Sequence, residues 1–378
     1  MDDKILRDLE YTAIRFNTKI NSKVIADLYS QGIVKSIEDL TVAGIEKIRS
    51  ELKEYDLQAK TGEAVENAYK SAGRIKEIAQ EYKESCDRNG IYTISEEDED
   101  YPYLWRYISG MPKVIFARGK REILDMCHKK GACSIVGTRK PGRYASYATE
   151  EFTKQICKEG TVIVSGMALG IDRKAHEAAL DTQGATVAFM PCGADLIYPY
   201  QNVDIYNRLI KEGLVLSEMP PGKEVIKQYF PARNRLIAGL GDVTLIMEAG
   251  LYSGTLHTAA FAANQGKDVF VLPNNIYSDN CQGGLMLLRD GAEVLIDAPT
   301  VIERIRENVR YRYDIPEEDK DDLYSKIKDL ISIRPMSLDE IISVTGEAYE
   351  QITKVLTDLE LQGLAEIRRG KYLLTIRY

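Results

Sequence analysis

The chain has 378 residues, a length that favours two or three domains because one hydrophobic core rarely grows beyond about 250–300 residues. Its 44% hydrophobic and 29% charged residues are typical of a globular protein, and it contains no run of about 18 apolar residues that would predict a membrane span. The formal net charge of −8 excludes a wholly basic nucleic-acid coat protein, although it allows a local basic groove.

Cysteines, histidines and the first residues narrow the class of protein further. The six cysteines stand singly without a CxxC pair, and the three histidines are not clustered. The sequence therefore predicts no zinc site, no disulfide framework and no bound cofactor. Residues 1–5 are acidic and lack the apolar core of a signal peptide. We expect a cytoplasmic protein that does not associate with membranes.

The first 85 residues carry a helical pattern. Apolar residues recur at helical spacing in residues 24–29 and 37–48, and Gly32 and Gly44 interrupt the pattern. We therefore predict a helical module of SAM or helix-hairpin-helix type over residues 1–85. Such modules can bind DNA backbones through their hairpins, but the pattern favours a packing or protein-interaction role.

Residues 86–310 are predicted to form a Rossmann-like domain with an N-terminal connector. Within the connector, the acidic residues 95–100 are typical of a solvated loop. Residues 101–105 and 111–116 are interpreted as pieces packed onto the domain. Trp105, the only tryptophan, is expected to be a buried anchor.

Short apolar runs alternate with helical patterns through the centre of the chain. Continuous apolar runs of this length are typical of parallel strands that are buried on both faces. The alternation predicts an open, doubly wound α/β sheet. The predicted strands are residues 133–136, 162–164, 186–189, 214–216, 243–247, 269–272 and 293–296, and the helices between them include residues 144–158, 172–180 and 255–265.

Residues 318–378 predict a third domain, a winged helix. Alternating apolar runs joined at residues 369–371 favour a β-hairpin, and Ser337 with Glu340 has the pattern of a capping box. Residues 349–356, the candidate recognition helix, carry little positive charge. A protein contact, or control over the central groove, is therefore as well supported as duplex binding. The predicted helices are residues 322–331, 337–343 and 349–362.

Glycine-containing loops follow four of the predicted central strands. In a doubly wound sheet, ligands bind outside the carboxyl ends of the strands, where the strand order reverses. Glycine lets the backbone approach a phosphate, and the following helix offers free N–H groups and the positive end of its dipole. Together the loops favour anion binding, although short β–α turns also use glycine for structural reasons. The four loops are residues 137–143, 165–172, 191–195 and 248–255.

A ring and several cations accompany these loops. Arg139 follows the first strand, where it can bind a phosphate through two hydrogen bonds or form a surface salt bridge. Phe230, before Pro231, is either a core residue or a stacking platform for a base, and Lys227 lies three residues earlier. A ring beside cations is typical of sites that bind single-stranded nucleic acid.

Arg233 and Arg235 are two residues apart, so they would diverge on a helix. We expect one of them to contact the ligand and the other to pair with an acid such as Glu248 or Asp242.

The sequence does not predict a catalytic site. No loop matches G-x-x-x-x-G-K-[ST], and no strand is followed by G-x-G-x-x-G, so neither a P-loop ATPase nor a standard dinucleotide enzyme is supported. Asp172 and His176 are spaced to hydrogen-bond on a helix, either as a general-base pair or, as we favour, as a structural brace. His257 is interpreted as packing or polar lining. Without a neighbouring nucleophile or metal, we assign no catalytic residue.

These motifs resemble those of the DNA processing protein A family, also called DprA or Smf. They run through the whole central domain in the family's order. The helical module and the winged helix are also similar to those of longer members, although less specifically. The matching segments are residues 135–139, 165–172 with 175–176, 198–199 with Asn202, 217–218, 230–235 with 237–239, and 248–250 with 253–255.

The resemblance implies a protein that binds single-stranded DNA without hydrolysing it. It also implies protection of incoming single strands, loading of the RecA recombinase during natural transformation, and a homodimer formed through the central domain. Arg139 matches the family's phosphate-binding arginine, and Lys227 and Phe230 match a phosphate-contacting lysine and a base-stacking phenylalanine. The residues expected to contact DNA are Arg139, Lys140, Ser165, Gly166, Lys227, Phe230, Arg233, Asn234, Arg235, Ser253, Gly254 and Thr255.

The alternative hypothesis is a nucleotide-processing enzyme, such as a phosphoribohydrolase, on a related Rossmann-like sheet. Such hydrolases resemble this chain in placing a phosphate-binding turn after a strand, with the pattern P-G-G-x-G-T-x-x-E. Residues 248–255 lack the proline, and no glutamate lies three residues beyond Thr255. The sequence therefore favours the DNA-binding hypothesis.

Overall fold

The computed structural model describes residues 2–51, 59–108, 110–314, 322–333, 336–361, 364–368 and 370–374. The chain divides into two compact units, residues 1–305 and residues 306–378. The helical module and the central sheet lie together in the first unit, so the domain boundary at residue 85 remains a prediction from sequence. None of the described helices is both long and apolar enough to cross a membrane.

The first unit is a mixed α/β structure whose strands are short and most of whose helices are amphipathic. Its helices are α1 (Asp2–Asn17), α2 (Ser22–Ser30), α3 (Val42–Glu51), α4 (Ala59–Lys70), α5 (Ala72–Asn89), α6 (Glu122–Lys130), α7 (Arg143–Lys158), α8 (Ile171–Asp181), α9 (Val203–Glu212), α10 (Tyr229–Leu240), α11 (Thr255–Asn264), α12 (Gln282–Arg289) and α13 (Ala298–Asp314), the last of which continues into the second unit. Its strands are β1 (Tyr92–Ser95), β2 (Val114–Gly119), β3 (Ala132–Val136), β4 (Val162–Ser165), β5 (Thr186–Met190), β6 (Leu214–Ser217), β7 (Val243–Ile246), β8 (Asp268–Val271) and β9 (Glu293–Val294).

The nine strands form one sheet in the order β1-β2-β6-β5-β4-β3-β7-β8-β9. From β3 the chain winds through β4 and β5 to β6, and it then returns to the other side of β3 to add β7, β8 and β9. The strands from β3 to β9 pair in parallel. The doubly wound α/β fold predicted from sequence is therefore confirmed, with β3 and β7 at the point where the strand order reverses.

Strands β1 and β2 were missing from the sequence prediction, which treated their region as a connector packed onto the domain. Strand β2 pairs antiparallel with both β1 and β6, so the connector extends the sheet at its edge. Sequence periodicity could not show this pairing because β2 and β6 are about one hundred residues apart in the chain.

Two of the hydrophobic cores in the described part of the first unit lie on opposite faces of the sheet. Helices α1 to α5 share one core with residues of β2, β5 and β6 and of helix α9. Helices α6, α10 and α11 pack on the other face. The second core contains Trp105, which is fully buried, lies 5.6 Å from the ring of Phe189 and donates its indole N–H to the carbonyl oxygen of Leu236 in α10. Trp105 is thus the buried anchor that the sequence predicted, and it fixes the helix that carries Phe230.

The second unit has the predicted winged-helix elements, although residue 362 of the predicted third helix and residue 369 of the predicted turn lie outside the described residues. A capping box joins Ser337 and Glu340 at the start of its second helix, and Gly370 takes a φ of 76° in the hairpin turn. Glycine suits this turn because other residues rarely adopt positive φ. The elements are α14 (Asp322–Ile333), α15 (Leu338–Thr345), α16 (Tyr349–Leu361), β10 (Ala365–Arg368) and β11 (Lys371–Leu374).

Candidate functional site

The site lies where β3 and β7 end side by side. The loop that leaves β3 is held against the loop that leaves β7 by backbone and side-chain hydrogen bonds. The amide of Thr138 donates to the carbonyl oxygen of Glu248 (2.8 Å), and the amide of Gly142 donates to the Glu248 carboxylate (2.7 Å). A Cβ atom on Gly137 would lie 2.6 Å from Cγ1 of Ile171. The loop after β3 therefore needs glycine at position 137, and its hydrogen bonds to Glu248 fix its backbone conformation.

The second loop ends at the first turn of helix α11. The amide of Thr255 donates to the Ser253 hydroxyl oxygen (3.2 Å), and the Ser253 hydroxyl donates to the Thr255 hydroxyl oxygen (3.0 Å). The side-chain amide of Asn234 reaches the carbonyl oxygen of Gly254 at 3.5 Å. Because a helix N-terminus carries partial positive charge, this turn favours an anion in the space beside it.

Helix α10 presents the aromatic ring of the site. Pro231 lies in the first turn of this helix, where a residue without an N–H group loses no intrahelical hydrogen bond. The guanidinium carbon of Arg139 lies 5.4 Å from the centroid of the Phe230 ring, within the range of a cation–π interaction. The ring of Tyr198 meets the Phe230 ring edge-on at 5.9 Å. The structure thus brings together the cation and the ring that the sequence predicted.

Two cavities adjoin this pair. The larger, of about 660 Å³, extends to the start of α11, and the smaller, of about 430 Å³, extends to the loop after β5. The two cavities share four lining residues, Arg139, Ala168, Phe230 and Arg233. Of the remaining expected residues, Asn234, Ser253, Gly254 and Thr255 line the larger cavity and Gly166 lines the smaller one.

The lysines that were expected to contact DNA lie outside both cavities. Lys140 and Lys227 are exposed, and neither is part of the cavity lining. Arg139 is also exposed, and within the described ranges no carboxylate lies within ion-pair distance of it. Arg139 is therefore the cation that is available to a phosphate inside the cavities.

Arg233 is buried, and its guanidinium joins the loop after β4 to strand β5. It donates to the carbonyl oxygen of Gly166 and, at 2.9 Å, to that of Phe189. Burial lowers the pKa of Arg233 to about 10, although the neighbouring Asp172 opposes the change. Burial raises the pKa of Asp172, which Arg233 and backbone amides offset in part. Arg233 therefore holds the Gly166 loop in place, and only a small part of it faces the cavities.

Arg235 points away from the cavities and pairs with Glu218. Its guanidinium donates to both carboxylate oxygens of Glu218 at 2.9 and 2.7 Å, and Arg15 of helix α1 donates to the same carboxylate at 2.8 Å. Burial alone would raise the pKa of Glu218, but the two arginines outweigh it and the pKa is lowered. The partner acid is therefore Glu218, and our expectation of Glu248 or Asp242 was wrong. Those two acids instead bind the backbone amides of Gly142 and Ala132.

Ser165 and His176 are both buried, and each forms a hydrogen bond to a neighbouring strand of the sheet. Ser165 is buried and donates its hydroxyl to the carbonyl oxygen of Ile135 at 2.6 Å. Nδ1 of His176 lies 2.8 Å from the hydroxyl of Thr186, which itself donates to the carbonyl oxygen of Ile163. The Thr186 oxygen therefore accepts from Nδ1–H, and the ring is the neutral Nδ1 tautomer.

The predicted hydrogen bond between Asp172 and His176 is thus replaced by one from His176 to Thr186, because the buried ring faces strand β5. Burial lowers the pKa of His176 to about 3.

His257, interpreted from sequence as packing or lining, is exposed. Within the described ranges, no three His, Cys, Asp or Glu side chains come together as metal ligands would.

Sequence reasoning missed several residues that line the cavities. Tyr200 lines the smaller cavity, and Leu251 and Tyr252 line the larger one. All three belong to segments whose importance the sequence indicated, since Tyr200 follows a matching Tyr-Pro pair and the other two lie inside a predicted phosphate loop. What singles out these three residues within their segments is that their large side chains are exposed. Exposure can be read only from the folded structure.

Comparison with known proteins identifies the family to which this site belongs. Residues 92–306 match the sequence model of the DNA recombination-mediator protein A family, and residues 314–371 match that of the DprA winged-helix domain. The chain belongs to the DNA recombination-mediator protein A family. The resemblance stated from sequence is thereby confirmed.

Relatives in this family match the chain over most of their length. Protein Smf of Synechocystis is 33% identical over 311 residues, which are 73% of this chain and 78% of that protein. DNA processing protein DprA of Bacillus subtilis is 35% identical over 239 residues, 63% of this chain and 78% of that protein.

Two solved structures of the family show the same fold. DNA processing protein A from Helicobacter pylori, whose structure is described for its single-stranded DNA binding mode, is 32% identical with a TM-score of 0.52 and covers 58% of this chain and 96% of that one. DprA from Streptococcus pneumoniae is 27% identical with a TM-score of 0.57 and covers 74% of this chain and 96% of that one.

Proposed function

We propose that this protein binds single-stranded DNA in the groove around Arg139 and Phe230, and that it acts as a recombination mediator without catalysing a reaction. Membership of the recombination-mediator family supports the general role. The described DNA-binding mode of the related Helicobacter pylori protein supports the ligand. The strand would lie across the carboxyl ends of β3 and β7.

The observation that carries this proposal is an exposed arginine held over a half-buried aromatic ring, beside the start of a helix. The guanidinium of Arg139 and the first turn of α11 can both bind phosphate oxygens. The Phe230 ring offers a face to a base, and stacking on a ring is insensitive to sequence because every base has a π-face. This combination suits a single strand, since the bases of a duplex are already stacked on one another.

The same proposal includes the finer role that the family implies. We propose that the protein protects incoming single strands and loads the RecA recombinase onto them during natural transformation, as a cytoplasmic homodimer formed through the central domain. A loading role predicts faster RecA filament formation on a single strand coated with single-strand binding protein. A protecting role predicts slower digestion of the bound strand by a nuclease.

Fluorescence anisotropy with a labelled oligothymidylate, compared with a duplex of equal length, tests the binding claim. We expect tighter binding to the single strand, and we expect Arg139→Ala to weaken it by about 10- to 100-fold because a charged hydrogen bond contributes about 1.5–3 kcal/mol. Arg208→Ala is the matched control, since Arg208 of α9 pairs with Asp181 and Glu212 and lines neither cavity.

Two results would contradict the proposal. Equal affinity for single strand and duplex would show that the groove does not select single-stranded DNA. Release of free base from nucleoside monophosphates, abolished by Arg139→Ala, would replace the proposal with the phosphoribohydrolase alternative. Both assays use the same purified full-length protein.

A further inference from the structure

The site consists of two cavities rather than one, and the Arg139–Phe230 pair lies between them. Their volumes of about 660 and 430 Å³ both fall in the range of about 300–1,000 Å³ that holds a ligand of drug size. A single nucleotide bound beside Phe230 would therefore leave one cavity unfilled. The arrangement suits a ligand that continues across the pair in both directions.

An exposed tyrosine stands in the lining of each cavity. Tyr252 follows β7 in the larger cavity and is 100% exposed, and Tyr200 follows β5 in the smaller one and is 74% exposed. Leu251, beside Tyr252, is exposed as well. Keeping apolar area in water costs about 25 cal/mol per Å². Both rings would therefore gain from a flat apolar partner, and within the described ranges neither ring contacts another aromatic ring.

The exposed cation of the site, Arg139, lies where the two cavities meet. Arg139 lines both cavities, whereas each tyrosine lines one alone. The start of α11, with its partial positive charge, borders the larger cavity. Phosphate-binding groups at the centre with aromatic rings on both sides fit a strand whose backbone crosses the centre and whose bases stack beyond it.

We propose that one DNA strand crosses both cavities, passes over Phe230, and stacks one base on Tyr200 and another on Tyr252. This inference rests on the proposed function, because it assigns the path and two further base contacts of the same ligand. Phe230 is then the middle of three aromatic platforms. The affinity for a single strand should accordingly rise with length until the strand reaches both tyrosines.

Substitution of the two tyrosines measures their contribution. We expect Tyr200→Ala and Tyr252→Ala each to weaken binding by about 5- to 100-fold, the range for loss of one stacked base. Tyr200→Phe and Tyr252→Phe should bind as the unmodified protein does, because the ring is kept. With oligothymidylates of about 4 to 16 nucleotides, the affinity of each alanine variant should stop rising at a shorter length.

Photocrosslinking tests the path itself. One 5-iodouracil is placed at successive positions of the shortest oligothymidylate that reaches full affinity, and the crosslinked peptide is identified by mass spectrometry. We expect crosslinks to Tyr200 from positions near one end of the strand and to Tyr252 from positions near the other. Crosslinks to one tyrosine alone, whatever the position, would overturn the proposed path.

Tyr147→Ala is the matched control, since Tyr147 is 67% exposed on α7 and lines neither cavity. The failure of this inference differs from the failure of the proposed function. One result would reject this inference alone: the protein binds single strands and Arg139→Ala weakens that binding, but both tyrosine-to-alanine variants match the control. Tyr200 and Tyr252 would then not stack on bases, and the DNA-binding function would stand. If the unmodified protein does not bind single strands at all, the proposed function itself fails.

Discussion

Helix α10 separates two groups of cations that differ in the partners facing them. On the side of the cavities, Arg139 stands over the ring of Phe230 and no carboxylate of the described chain pairs with it. On the far side, Arg235 and Arg15 share the buried carboxylate of Glu218. Arg139 therefore leaves a positive charge available to a ligand. The charges of Arg235 and Arg15 are balanced in part by Glu218 within the protein.

The difference explains how an acidic chain can offer a basic groove. A cation that already shares a carboxylate gains little by turning to a phosphate, because it would leave the carboxylate buried and unpaired. Arg235 therefore stabilises the position of α10, and Arg139 remains free to bind. Arg233 is intermediate, since it binds backbone carbonyl oxygens and lies near Asp172.

Glu218→Gln should have the largest effect on stability. The change leaves Arg15 and Arg235 beside a neutral amide in a buried place, and breaking a buried ion pair costs about 3–5 kcal/mol. Unfolding in urea, followed by circular dichroism, measures the loss. Glu224→Gln changes the same residue type at an exposed position in the loop before α10, and it should stay within about 0.5 kcal/mol of the unmodified protein. If Glu218→Gln matched Glu224→Gln, the far side of α10 would not depend on this carboxylate.

Gly166→Ala should cause the next largest loss of stability. It tests the role of Arg233, which binds backbone carbonyl oxygens beside the cavities. A Cβ atom there would collide with the Arg233 guanidinium and lie 2.7 Å from the Asp172 carboxylate. Since Arg233 is held by Phe189 and Gly166 itself, it cannot move freely, and we expect a loss of about 1–3 kcal/mol.

Gly62→Ala is the control for this substitution. Gly62 lies inside α4, and a Cβ atom there would meet no atom within 4 Å. The control should gain about 0.5–1 kcal/mol from better helix propensity. If Gly166→Ala lost no stability relative to Gly62→Ala, Arg233 would not constrain its loop.

The smallest expected effect on stability is a pH dependence from His176. The pKa of this histidine is about 3 in the folded protein, against about 6.5 in an unfolded chain. Between these values only the unfolded chain binds the proton, so stability is complete above about pH 6.5 and falls as the pH is lowered. From pH 6.5 to pH 5 this single group should cost about 1.5–2 kcal/mol.

Urea unfolding at several pH values measures that slope. His176→Asn keeps an acceptor or donor near Thr186 and cannot titrate, so the slope between pH 6.5 and 5 should become smaller. His257→Asn, at an exposed position, should keep the slope of the unmodified protein. A slope that survives in His176→Asn would mean that another group titrates in this range.

Much of the sheet could be predicted from the sequence because its parallel strands are buried on both faces and are therefore continuously apolar. The strand predicted at residues 162–164 is Val162–Ser165, and the helix predicted at 144–158 is Arg143–Lys158. The antiparallel strands β1 and β2 were missed because their assignment depends on a distant partner rather than on their own residues.

The site could be predicted in part. Arg139 and Phe230 were found from their residue types and positions, and they do meet. The partner of Arg235 and the direction of the His176 ring were not found, because spacing along a helix shows which contacts are possible and the packed interior decides which are made. The platforms Tyr200 and Tyr252 require knowledge of exposure, which the sequence does not contain.

The salt dependence of single-strand binding tests the contrast between the two sides of α10 most directly. The logarithm of the dissociation constant for oligothymidylate would be measured against the logarithm of salt concentration for the unmodified protein, Arg139→Gln and Arg235→Gln. If Arg139 contacts a phosphate and Arg235 does not, the slope falls by about 0.7 in the first variant and is unchanged in the second, because Arg235 already pairs with Glu218 inside the protein. Equal slopes in all three proteins, or a change confined to Arg235→Gln, would contradict the account.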